Sequence, residues 1–177
     1  MAYSLDEFYR DARAALKEQP GPAARQSVRT NLERLLKNEA FIAEYCGLDA
    51  KPGIRVIHRC SDTGYNVLVH IYERGKIGPP HDHGNSWAVY GQAGGHTVMT
   101  TWKRMDDGHE KGHAELTKDK SFRLDPGMAG IFEPGEIHSI EISDGSRFVR
   151  VTGTDLNKID TFVFNPEAQT VAVGNRL

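Results

Sequence analysis

From about residue 53 onward the chain breaks into short runs of β-branched and aromatic residues, and no other feature limits its fold so tightly. The runs "IRVIHRC", "YNVLVHIYE", "SWAVYGQ", "HTVMTTWKR", "HAELTKDKSFRL", "AGIFEP", "HSIEIS", "RFVRVTG" and "DTFVFN" are separated by Gly, Asp and Pro. Many short strands at that spacing specify a sandwich or barrel. The first fifty residues read differently. Leu5, Phe8, Tyr9, Ala12, Ala15 and Leu16 recur at helical intervals, and Ser4 with Glu7 has capping-box spacing, so a helix is predicted over 4–18. Gln19 to Pro22 ends it. A second helix is predicted over 23–46, with Val28, Leu32, Leu35, Leu36, Phe41, Ile42 and Tyr45 on its apolar face, a kink near Asn38 and Gly47 as its stop. The reading is an N-terminal helical segment, 1–52, packed on an antiparallel β-barrel, 53–177, as one structural domain.

Charge and length exclude several classes. A formal net charge of −2 speaks against a nucleic-acid binder, which would carry a basic patch. No stretch is long and apolar enough to cross a membrane. The acidic, amphipathic start "MAYSLDEFYRDAR" is no secretory signal, so a cytoplasmic location is expected. Cys46 and Cys60 are then two free thiols.

The chemistry concentrates in "GPPHDHGNSWAVYGQAGG", Gly78 to Gly95. In a strand, His81 and His83 would project from one face, with Asp82 turned away. "FEPGEIHSIEI" offers His138 as a third nitrogen. Three imidazoles can hold one face of a metal and leave the other positions open, as a catalytic rather than structural site requires. The plain alternative is three ordinary surface or turn histidines.

"GKIGPPHDH" (Gly75 to His83), Gly91 and "PGEIH" (Pro134 to His138) together resemble the two sequence motifs of the cupins. The resemblance covers about residues 53–165. It implies a mainly β fold, a cupin double-stranded β-helix or jelly-roll-like barrel with an N-terminal helical lobe, carrying a metal on His81, His83 and His138. Most cupins place a glutamate four or five residues after the second histidine, where this chain has Trp87 and Ala88. Cupins of the thiol dioxygenase group, which act on cysteine or 3-mercaptopropionate, also lack it and bind Fe(II) through three histidines. "HDHGNSWAVYGQAGG" looks closest to the mercaptopropionate branch. By this resemblance Arg59 falls where the group binds the substrate carboxylate, and Tyr72 where the cysteine branch has a pocket tryptophan. The group's Ser-x-His-x-Tyr run is absent, since "FVRVT" puts Phe148, Arg150 and Thr152 there, and its crosslinking cysteine is Ala88. The resemblance also brings the expectation of a homodimer.

Three neutral histidines leave both positive charges on a divalent ion, which favours anionic chelators. Arg59 and Arg150 are the candidates for binding a carboxylate, because a guanidinium can make two parallel bonds to it. Arg150 alternates with Phe148 and Thr152. If that face lines the barrel interior, a buried cation there needs an anion. Surface ion pairing is the alternative for both arginines.

"HEKGH" (His109 to His113) matches the zinc-protease pattern H-E-x-x-H, which works only on a helix. Gly108 and Gly112 bracket it, so a loop between strands is expected. His70 reads as a satisfied core histidine, His58 and His96 are ambiguous, Trp87 and Tyr90 are pocket candidates, and Tyr65 is a weak candidate for the missing tyrosine's role.

These residues support an Fe(II)-dependent dioxygenase acting with O₂ on a small carboxylated molecule, a thiol first, in a cysteine dioxygenase-like oxidation to a sulfinate. Zn, Ni or Mn are alternative ions. The competing reading is a metal-binding cupin with non-redox activity, as an isomerase or lyase, or a small-ligand binding or sensor module.

Overall fold

The computed structural model describes residues 2–174. Among these residues, three α-helices precede eleven strands. Helix α1 (Leu5–Glu18) starts at Ser4, whose hydroxyl accepts from the Glu7 amide while the Glu7 carboxylate accepts from the Ser4 amide. The expected second helix is two: α2 (Pro22–Leu35) and α3 (Glu39–Cys46). Asn38 makes the break. Its side-chain oxygen accepts from the Ala40 and Phe41 amides, and its amide nitrogen donates to the Tyr3 carbonyl at 3.0 Å. A side chain that caps a new helix and ties its start to another segment outweighs the propensity to continue.

The strands are β1 (Gly53–Arg59), β2 (Asn66–Ile71), β3 (Lys76–Ile77), β4 (Ala88–Gly94), β5 (Thr97–Arg104), β6 (Leu116–Leu124), β7 (Ala129–Phe132), β8 (Ile137–Ile142), β9 (Arg147–Thr152), β10 (Phe162–Asn165) and β11 (Thr170–Val173). One sheet runs β1-β2-β9-β4-β7 and faces a second, β3-β8-β5-β6; β10 and β11 pair separately. All pairings are antiparallel. This is the expected mainly β, cupin-like barrel with an N-terminal helical lobe.

Apart from its largely exposed edge strand β1, the five-stranded sheet is buried on both faces, and its alternation states which residue serves which face. Val67, Val69, Val89, Val149 and Val151 pack outward with Phe8, Val28, Leu32 and Leu35 of the helices. Ala88, Tyr90, Phe132 and Phe148 point inward and meet Met99, Ile140 and Ile142 of the facing sheet. Gly91 lets α2 approach the sheet, because a β-carbon there would lie 2.6 Å from Leu32 Cδ2. The H-E-x-x-H segment lies between β5 and β6 as the sequence suggested, with Gly108 and Gly112 both at positive φ. Both cysteines are free and buried. Among the described residues, no helix is long and apolar enough to cross a membrane.

Candidate metal centre

His81 and His83 do not lie on a regular strand. His81 forms an isolated bridge, its amide donating to the His138 carbonyl at 2.8 Å and its carbonyl accepting from the His138 amide at 2.9 Å. His83 sits in the following turn. Asp82 fixes that turn: its amide donates to the Phe162 carbonyl, and its Oδ1 accepts from the Gly84 and Phe162 amides, each at 2.9 Å. Gly84 has φ 56°, and a β-carbon there would collide with the Asp160 carbonyl. The convergence expected from strand periodicity is thus produced by a two-bond backbone clamp and an Asp-Gly turn. Proline explains the departure: Pro79 and Pro80 have no amide for a ladder.

The three rings come together. Ligand atoms of His81, His83 and His138 lie within 4.8 Å of one another, and ring centroids are 4.5–5.4 Å apart. His81 Nδ1 lies 3.0 Å from the Pro79 carbonyl and His138 Nδ1 lies 3.4 Å from the Glu136 carbonyl. Each contact suits an Nδ1–H donor, which leaves Nε2 with its lone pair free. His138 is fully buried, its ring stacked on Phe132 at 3.9 Å, and its Nε2 has no partner. A buried nitrogen with nothing to bond, beside two further imidazoles, fits a metal ion. Burial holds His83 and His138 well below the ordinary imidazole range and His81 below it; neighbouring imidazoles add to the effect at His83 and His138, and Arg150 adds at all three. Neutral imidazole is the form that binds metal. Of the two positions where the resemblance puts a glutamate, Trp87 and Ala88, Ala88 points inward and offers only a methyl.

Above the cluster lies a cavity of about 220 Å³. His81 and His83 line it, with Tyr72, Tyr90, Ile140 and Phe148 among its walls; His138 sits one layer deeper. The Tyr90 hydroxyl is 3.2 Å from His83 Nε2. Tyr72 is half-buried and stacks near Phe148, 5.8 Å between centroids.

A second cavity of about 190 Å³ holds both candidate arginines, and Ile54 and Leu156 line both spaces. Phe148, Arg150 and Thr152 do face the barrel interior. Arg150 is 5% exposed, lies between Leu68 and Tyr90 across the strands, and has an unpartnered Nε. Arg59 is exposed and lines the second cavity but not the first. Neither arginine forms an ion pair among the described residues.

Several expectations change. Tyr65 cannot replace the absent tyrosine: it is fully buried on the helical side, its hydroxyl donating to the Tyr9 carbonyl. Trp87 also faces that side, packed against Gly153. His70 is buried in the interior, yet both of its ring nitrogens lack partners, so it is not a satisfied core histidine. His58 stacks on Tyr9 at 3.9 Å, away from the centre.

The barrel and its histidine cluster define a cupin-like fold with a candidate three-histidine metal centre. Comparison with solved structures finds neighbours at low identity. KdgF from Halomonas sp. shares 18% identity over 59% of this chain and 81% of its own, with a TM-score of 0.42. A cupin superfamily protein from Desulfitobacterium hafniense DCB-2 shares 13% over 63% and 88%, TM-score 0.44. Hydroquinone 1,2-dioxygenase PnpCD, in complex with Cd2+ and 4-hydroxybenzonitrile, shares 15% over 59% and 66%, TM-score 0.44. No protein-family model and no curated protein matches the chain.

Proposed function

We propose that this chain is a non-haem Fe(II)-dependent dioxygenase that oxidises a small carboxylated molecule, with a thiol converted to a sulfinate as the leading class. One juxtaposition carries the reading: three neutral imidazoles converge without a carboxylate, and an unpaired, buried Arg150 lies on the neighbouring wall. A divalent ion on such ligands keeps its full charge and selects anionic chelators. The reaction RSH + O₂ → RSO₂H balances without an external reductant.

His81, His83 and His138 would hold the ion, and bound iron would supply the activation of O₂. The remaining roles belong to the chain itself. Arg150 binds the substrate carboxylate from the buried side and Arg59 from the solvent side of the second cavity. The walls formed by Tyr72, Phe148 and Ile140 keep water from the reacting end. The Tyr90 hydroxyl, beside His83, orients the bound molecule by a hydrogen bond.

A second reading, a small-ligand sensor on the same metal or, with its proton transfers made elsewhere, a non-redox isomerase or lyase, draws on β9. Phe148 has no proton to transfer, and the Thr152 hydroxyl is committed to the Thr154 carbonyl at 2.7 Å. Metal analysis, then anaerobic iron loading and an oxygen electrode with cysteine, 3-mercaptopropionate and cysteamine, separates the two. Iron-dependent O₂ loss with the carboxylated thiols supports the oxygenase. Bound zinc or nickel and no O₂ loss after iron loading refutes it. His81→Ala, His83→Ala and His138→Ala should each lose the metal and stay folded; full metal content in any one removes that residue from the centre.

A further inference from the structure

One buried polar side chain in the barrel wall has no use in the metal centre or in the packing. His70 stands on β2, with Ile54 of β1 and Phe148 of β9 as its cross-strand neighbours. It is 2% exposed, its ring stacks on Phe148 at 4.6 Å, and it lines the same cavity as His81 and His83. Neither Nδ1 nor Nε2 has a hydrogen-bond partner. The neighbouring buried amides and hydroxyl differ in this. Asn66 donates to the Gly64 carbonyl, Gln92 to the Gly94 carbonyl and Ser146, and Thr152 to the Thr154 carbonyl.

A phenylalanine would stack on Phe148 as well and leave no polar atom unmatched, so packing does not account for an imidazole here. The groups facing this space decide what it can bind. Among the described residues the cations near it are Lys76 and Arg150, and the Asp82 carboxylate is engaged with the Gly84 and Phe162 amides. Burial and those two cations keep the ring neutral. A neutral imidazole offers one donor and one acceptor. An ammonium group would be repelled by Lys76 and Arg150, and a carboxylate would prefer Arg150.

We propose that His70 is a specificity-determining residue that recognises an uncharged hydrogen-bonding group, a hydroxyl, carbonyl or amide, on the molecule held in this cavity. The inference rests on the function proposed above only in taking the cavity as the substrate site. It adds that the substrate carries a neutral polar group besides its anionic end.

The test uses the full chain loaded with zinc, which consumes no O₂, so a failed oxygenase assay leaves it intact and the reverse also holds. Benzyl alcohol, butan-1-ol and acetamide are the polar probes, and toluene is the apolar one. The preference for benzyl alcohol over toluene should fall roughly fivefold to a hundredfold in His70→Phe, and His70→Gln should restore part of it. In ¹⁵N-histidine spectra of the unaltered protein, the His70 ring signals should move with a polar probe and stay with toluene. This second measurement stands even if His70→Phe fails to fold. An unchanged preference in the folded variant overturns the proposal. So do ring signals that no polar probe moves, the result expected if an internal water already occupies both nitrogens.

Discussion

Replacing Arg150 with methionine should move stability and ligand binding in opposite directions. Arg150 is 5% exposed, its Nε meets no partner, and no carboxylate pairs with it among the described residues. A buried donor left unmatched costs about 1–3 kcal/mol, and a methionine of similar length keeps most of the packing of the stem. The anion-free variant should therefore gain about 1–3 kcal/mol. At about 2–4 °C per kcal/mol for a chain of this size, its melting temperature rises by roughly 2–12 °C. Binding of a carboxylate falls instead, by roughly thirtyfold or more, the usual consequence of losing about 2 kcal/mol or more with one partner of a buried charge pair. Metal affinity should hold or rise slightly, since a cation facing the three histidines opposes a second cation. Scanning calorimetry in anion-free buffer and titration calorimetry of the zinc-loaded protein with 3-mercaptopropionate read both quantities. A variant that melts lower and binds the carboxylate as well as before would refute the argument that Arg150 awaits an anion.

Acid should destabilise the metal-free protein through its interior histidines. Burial holds the folded-state pKa of His70, His83 and His138 well below the unfolded value near 6.5, so the unfolded chain binds more protons just below that pH. Their contribution is complete above about pH 6.5 and declines as pH falls, by up to about 1.4 kcal/mol per pH unit for each ring; urea melts at pH 6.5 and 5.5 that coincide would contradict this. Gly91→Ala should cost about 1–3 kcal/mol, because its methyl must displace Leu32 from the surface of β4, and an unchanged urea midpoint would show that α2 shifts freely.

Much of the architecture could be read from residue pattern, because one periodicity governs it. Val67, Val69 and Ile71 form one row, Leu68, His70 and Tyr72 the other, and the pleat sends them to opposite faces. The same parity separates Trp87 from Tyr90, three residues apart, so the sequence already held the means to exclude Trp87 from the pocket. Other features depend on contacts that no pattern encodes. The break at Asn38 needs the Tyr3 carbonyl to be present. Tyr65 is committed to Tyr9, fifty-six residues away in sequence. The ligand cluster was legible as a set of residues, but strand alternation was the wrong reason for its geometry. Sequence alone makes His70 a satisfied core histidine, because an unpartnered atom is a property of the space around it.

The pair of main-chain bonds between His81 and His138 joins segments fifty-seven positions apart. These bonds use no atom of either ring, in contrast to small zinc domains, where the ion itself organises the chain. A chelator should thus yield an intact, empty scaffold, into which different metals can be placed and compared on identical walls.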